Sequence, residues 1–256
     1  MSDWKDSQRS QTNFGSVPRA GGEVSYDEGL RSFMLSIYNY MGSGVLLTGI
    51  VALLFVNSPL FGMAFEVVQT PYGRALEANM LGWAIKFSPL VFMLFWWFGA
   101  QRASQPVLQI AFWSFCVVFG MSLSTIFAIY TGESIAMAFF AAAAGFAGLS
   151  LWGYTTKKDI SGWGSFLIIG AFGLLAAFLM NAFIFQSGMF HFALSAAGVL
   201  IFAGLTAYDT QMLKNQYQFV RGTDQMGRAI IFGAFNLYLD FINLFIMLLQ
   251  FFGNRE

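Results

Sequence analysis

Charge is scarce in this chain. Only 10% of its 256 residues are Asp, Glu, Lys or Arg, against about 25% in soluble domains. The acids and bases number 13 each, so no basic field points to nucleic acid. Histidine and cysteine occur once each. A single Cys116 excludes an internal disulfide and, inside an apolar run, reads as a small buried hydrophobe. His191 has no Cys or acidic neighbour with metal-ligand spacing. No phosphate-cradling glycine loop, HExxH or GxSxG pattern occurs, which removes the usual soluble-enzyme chemistries. No apolar h-region follows the first basic residues, so the N-terminus does not read as a cleaved signal peptide.

Apolar residues are abundant instead: 57% of the chain is hydrophobic, with a mean hydropathy of +0.62. After a polar segment, residues 1–32, interrupted by Gly15, Pro18, Gly21 and Gly22, seven hydrophobic runs follow. They cover Phe33–Val56, Leu81–Gly99, Pro106–Tyr130, Ser134–Tyr154, Gly162–Phe185, Met189–Asp209 and Ala229–Phe252. Each is near the ~20 residues that cross a ~30 Å hydrocarbon core. Alternating barrel patterns are absent, and backbone groups in lipid must be satisfied internally, so helices are the remaining solution. The expected architecture is an all-α integral membrane protein: a flexible tail over residues 1–32, with or without a short interfacial helix at its end, and a seven-helix domain over 33–256. Asn57–Met80, with Pro59, Pro71 and Gly73, is the longest loop between runs; Thr131–Glu133 and Gln186–Gly188 are tight.

Lys and Arg set the orientation. With the N-terminus cytoplasmic, ten of the 13 basic residues lie inside, only Arg74 and Arg255 lie outside, and Lys86 falls within the second run. Lys86 is expected to snorkel to the outer interface. Glu133 reads as a helix N-terminal charge, and Asn181 as a partner in a helix–helix hydrogen bond. The fourth run concentrates Ala141–Ala144, Gly145 and Gly148, which predicts a central packing helix, and Gly170 and Gly173 read as packing residues too.

Chemistry concentrates in the last run. Asp240 lies near its middle, where a carboxylate costs ~2.5–3.5 kcal/mol even on the lenient insertion scale. Asn236 precedes it by four residues and Asn243 follows by three, so the three polar groups share one helical face. A second acid, Asp209, lies 31 positions earlier, and the midpoint falls beside Gly222, Thr223, Asp224 and Gly227, residues suited to a turn. If the sixth helix runs on to about Gln218, the two carboxylates meet inside the bundle. Facing carboxylates in low dielectric share a proton and titrate as a pair. Protonated, such a dyad closes by hydrogen bonding; ionised, it repels itself and admits a cation. The alternative is a static pair neutralised by a basic residue. Arg102 reads either as a latch on Asp209 or as a positive-inside anchor.

The run Leu237-Tyr238-Leu239-Asp240-Phe241-Ile242-Asn243-Leu244-Phe245, with Leu248, Leu249, Phe252 and Gly253, resembles the most characteristic segment of the Bax inhibitor-1 family in its bacterial branch. Tyr208-Asp209-Thr210-Gln211 is similar to that family's sixth-helix motif. Tyr130-Thr131-Gly132 with Ser134-Ile135, and Gly153-Tyr154-Thr155-Thr156-Lys157-Lys158-Asp159, extend the likeness. The resemblance implies a seven-helix fold with the seventh helix central. It implies a pH-sensitive calcium leak in a bacterial inner membrane, with Asp209 and Asp240 as the sensor and Arg102 as the best match to a latch arginine.

On this reading the chain is not an enzyme and holds no cofactor, and calcium is the transported ion. Its pathway contains Asp209, Asp240, Asn236 and Asn243, with Thr206 as a further oxygen. Six to eight oxygens satisfy Ca²⁺, so the two carboxylates hold it weakly and transiently. Weak binding suits permeation. The rival implied by bacterial relatives is a regulator of a membrane-bound AAA protease or of stress survival. An intramembrane aspartyl protease is disfavoured because Tyr238-Leu239-Asp240 has no glycine beside the acid.

Overall fold

The computed structural model describes residues 20–70 and 73–254. Eight helices and one hairpin occur in the order α1 (Ala20–Val56), α2 (Pro59–Ala64), β1 (Phe65–Thr70), β2 (Gly73–Ala78), α3 (Met80–Phe98), α4 (Gln105–Ile129), α5 (Gly132–Thr155), α6 (Gly164–Met180), α7 (Gly188–Val220) and α8 (Met226–Phe252). All the helices except α2 belong to segments long and apolar enough to cross a membrane, seven in total. The expected all-α, seven-span architecture is therefore the observed one. One end of the bundle carries the α3–α4, α5–α6 and α7–α8 connections with Arg102, Lys157, Lys158 and Arg221, and is called here the basic face. The other end carries β1 and β2 and is called the hairpin face.

The helices begin where side chains can take up their free N–H groups. Asn79 accepts from Leu81 and Gly82 at 3.0 and 3.1 Å. Thr131 accepts from Ser134 at 3.2 Å and Ser187 from Phe190 at 3.3 Å. Pro59 and Pro106 sit in first turns, where a missing N–H costs nothing. Pro89 lies inside α3, and Ser88 donates to the Ile85 carbonyl at 2.7 Å beside it.

Central position belongs to α8. It packs against α1, α4, α5 and α7, and Leu237, Ala234 and Tyr238 have no exposed surface. Its far end is tied down: the Thr131 N–H donates to the Asn254 carbonyl at 3.2 Å, and the Asn254 N–H donates to the Ser134 hydroxyl at 2.9 Å.

Three expectations are refined or changed. Residues 1–19 of the expected tail lie outside the described residues, but 20–32 are helical and continue into the first span. Leu30 and Phe33 are buried, so apolar contact carries the helix past the membrane-length run. The Asn57–Met80 loop contains an antiparallel hairpin, paired from Phe65↔Ala78 to Thr70↔Gly73, with Phe65 buried against Phe61 and Ala64. Pro71 lies outside the described residues.

The third change concerns α5, which is not central. Ala141, Ala144, Gly145 and Gly148 are exposed, and α5 packs through a narrow seam of Ala138, Ala142, Phe146 and Ser150. Close helix approach occurs at Gly153 instead, where an added Cβ would lie 2.3 Å from the Ala207 carbonyl oxygen. Gly170 does face Ile201, whereas nothing lies near Gly173.

Candidate functional site

The sixth span runs on well past Asp209, to Val220, and Arg221–Gln225 turn the chain. Gly222 takes φ +72°, a backbone conformation that suits glycine. The 31-residue separation therefore folds into a hairpin whose arms bring Asp209 and Asp240 within hydrogen-bonding reach. Asp240 is 5% exposed and Asp209 is half-buried. The Oδ2 of Asp240 has no N–H or O–H donor beside it among the described residues. Neither carboxyl has a Lys or Arg partner among those residues.

Asn236 and Asn243 flank this pair differently from the expectation of a shared inward face. Asn243 is half-buried and donates Nδ2–H to the Leu239 carbonyl at 2.8 Å. Asn236 is exposed. The reason is angular: at 100° per residue Asp240 stands about 40° from Asn236 toward α7, enough to cross from the open sector into the contact with α7. Thr206 is buried, but its hydroxyl donates to the Phe202 carbonyl at 2.8 Å, within its own helix.

Arg102 does not hold Asp209. It is exposed in the Ala100–Arg102 turn, and the only titratable partner of the Asp209 carboxyl among the described residues is Asp240. The guanidinium that grips this corner is Arg228, on the first turn of α8. It donates to the Gln101 carbonyl at 2.7 Å and approaches the Ala100 carbonyl at 3.5 Å. Trp96 reinforces the contact by stacking on Phe235 with centroids 3.9 Å apart.

Two sets of hydroxyl groups tie the helices around the pair to one another. Tyr38 and Ser150 are 2.6 Å apart, and Ser150 and Thr210 2.9 Å, which links α1, α5 and α7 beside Asp209. On another side of α8, Thr48 bonds the Tyr238 hydroxyl at 2.7 Å and donates to the Cys116 carbonyl at 3.0 Å. Sequence reasoning missed these hydrogen bonds and the grip of Arg228. The available signal was Ser and Thr inside apolar runs, which in a bilayer must find hydrogen bonds.

The remaining candidates lie away from the pair. The Lys86 ammonium sits over the Trp83 and Phe65 rings at 5.3 and 5.5 Å, toward the hairpin face. Glu133 is exposed in the first turn of α5. Asn181 bonds both backbone groups of Ser187, across the turn joining α6 to α7. His191 packs edge-on against Phe178. Cys116 is buried and free. No group of three or more His, Cys, Asp or Glu suited to a metal occurs among the described residues.

Comparison with known proteins matches residues 30–256 to the family model described as inhibitor of apoptosis-promoting Bax1. An uncharacterized protein of Rickettsia prowazekii is 42% identical over 234 residues, covering 91% of this chain and 93% of that protein. The inner membrane protein YbhL of Escherichia coli is 39% identical over 241 residues, 93% and 98% of the two chains. An uncharacterized membrane protein of Streptococcus pyogenes is 35% identical over 233 residues, 90% and 96%.

Proposed function

Since the chain belongs to the Bax inhibitor family, we propose that it is a passive cation leak, for Ca²⁺, gated by protonation of the Asp209–Asp240 pair. The membrane is a bacterial inner membrane, after the relative that carries that name. The basic face is cytoplasmic, because it collects the Lys and Arg residues.

One observation carries this reading. Two carboxyl groups on adjacent helices face each other inside the bundle with no Lys or Arg to neutralise them among the described residues. A static structural pair would be matched by a Lys or Arg. With one proton between them the carboxyls bond and α7 stays on α8; with none they repel, the contact loosens, and a cation is attracted to the same place.

The test is Ca²⁺ uptake into proteoliposomes between about pH 5 and 8, for the parent, Asp209→Asn and Asp240→Asn. The expected result is flux that rises with pH in the parent and loses that dependence in both variants. A parental pH profile in both variants removes the pair as sensor. No flux above protein-free liposomes at any pH refutes the leak and favours regulation of a membrane-bound protease.

A further inference from the structure

One stripe of the central helix is only partly covered along most of its length. Phe232, Asn236, Leu239, Asn243, Ile246 and Gln250 are exposed or half-buried, while Ala234, Tyr238, Phe241 and Phe245 on the other side are buried. The alternating spacing of four and three keeps these six residues in one line. Asn236, Asn243 and Gln250 recur every seventh residue, a polar row about 21 Å long at 1.5 Å per residue.

Lipid cannot be what meets this row. Asn236 makes no side-chain hydrogen bond among the described residues, and the Oδ1 of Asn243 accepts none. Exposed amides in hydrocarbon forfeit their hydrogen bonds at a cost of several kcal/mol each on the cyclohexane scale. Water satisfies them without cost. The row also leads somewhere. At the hairpin face Gln250 lines a cavity of about 530 Å³ with Asn181, Gln186, Ser187 and His191, and Ser195 donates to its Oε1 at 3.4 Å. This polar mouth sits beside a π-helical turn, Asn181–Phe185, a feature frequent at functional sites. Toward the basic face the row stops where Phe232 meets the edge of Trp96 at 5.6 Å. Asp240 flanks the row between Asn236 and Asn243.

We propose that this stripe is the wall of a water-filled path that opens at the Asn181–His191–Gln250 cavity and brings hydrated cations to Asp240 from the hairpin face. The proposal rests on the leak reading and gives it an entrance and a direction. Amide and hydroxyl oxygens hold a hydrated cation loosely, which lets it pass. The Trp96–Phe232 contact is the apolar block at the inner end.

Cysteine accessibility tests this, because Cys116→Ala leaves a chain without cysteine. In that background single variants Gln250→Cys, Asn243→Cys and Asn236→Cys are reconstituted and exposed to a charged, membrane-impermeant methanethiosulfonate. Ile169→Cys, on the exposed side of α6, is the lipid-facing control. The reagent needs a thiolate and hence water at the sulfur. The expected result is modification of the Gln250 and Asn243 positions from the hairpin-face side at least about tenfold faster than the control, with the Asn236 position reached from that side too. Control-level rates at both Asn positions overturn the path, whether water is replaced there by lipid or by a second copy of the chain. Gln250→Leu supplies a second readout: about a severalfold loss of Ca²⁺ flux with its pH profile unchanged, and unchanged flux refutes the entrance. Flux without labelling keeps the leak and removes the path; labelling without flux does the reverse.

Discussion

Replacing Gly153 by alanine should loosen the bundle at the point that positions Asp209. Here α5 comes so close to α7 that a Cβ would stand 2.3 Å from the Ala207 carbonyl oxygen and 3.1 Å from the carbonyl carbon. Ordinary carbon–oxygen contacts are about 3.3–3.6 Å, so the helices must part by roughly 1 Å. The obstacle is backbone, so no rotamer change relieves it. Ser150 lies three residues back on the same seam, with its 2.9 Å bond to Thr210. A retreat of that size stretches this bond beyond hydrogen-bonding range.

Overpacking costs about 1–3 kcal/mol and the weakened hydrogen bond about 1 kcal/mol. Alanine returns about 1 kcal/mol through helix propensity. The expected net loss is thus about 1–3 kcal/mol, read as a lower midpoint in thermal unfolding in detergent followed by tryptophan fluorescence. Gly148→Ala, on the same helix with nothing within 4 Å of its added Cβ, isolates the propensity gain and should not destabilise. If Gly153→Ala proves as stable as Gly148→Ala, the close approach is not there and the argument fails.

Thr48→Val should cost about 1–3 kcal/mol because it removes the oxygen partner of the buried Tyr238 hydroxyl. Adding Tyr238→Phe should recover part of that loss, and strict additivity in the double-mutant cycle would contradict the Thr48–Tyr238 bond. Arg228→Gln removes the grip on the Gln101 carbonyl, at about 1.5–3 kcal/mol for a charged donor. Limited trypsin digestion should then cut faster after the exposed Arg102, and an unchanged rate would argue against the clamp. Outside the spans, hydrogen bonds from the Ser161 hydroxyl and then its N–H, the latter at 2.9 Å, hold the Asp159 carboxyl below its ordinary value of 3.8. A lowered folded-state value means the stabilisation is present above the ordinary carboxylate range and disappears as pH falls through the folded one. The thermal stability gap between parent and Asp159→Ala should therefore be wider at pH 6 than at pH 3, and a constant gap would refute it.

Much of the architecture and the acid pair were legible in the residues alone. Seven apolar runs become seven crossings because lipid offers the backbone no other way to satisfy its hydrogen bonds. Asp209 and Asp240 could be paired because a hairpin of regular helices converts sequence distance into height, and the turn residues marked its centre. What failed was rotation about the helix axis. Ala141, Ala144, Gly145 and Gly148 pointed outward and Gly153 made the contact. Arg102 stood free of Asp209, while Arg228, from another helix, held that corner.

The sequence by itself determined how many times the chain crosses, how deep each polar residue lies, and that Asp240 must avoid lipid. Only the tertiary structure decided which sector of each helix meets protein. It placed Asn236 in an open sector and Asp240, one turn away, against α7; it also folded Phe65–Ala78 into a hairpin. In water, an apolar stripe announces the buried side of a helix. Between lipid and a protein core, both sides are apolar, so azimuth is left to packing among helices far apart in the chain.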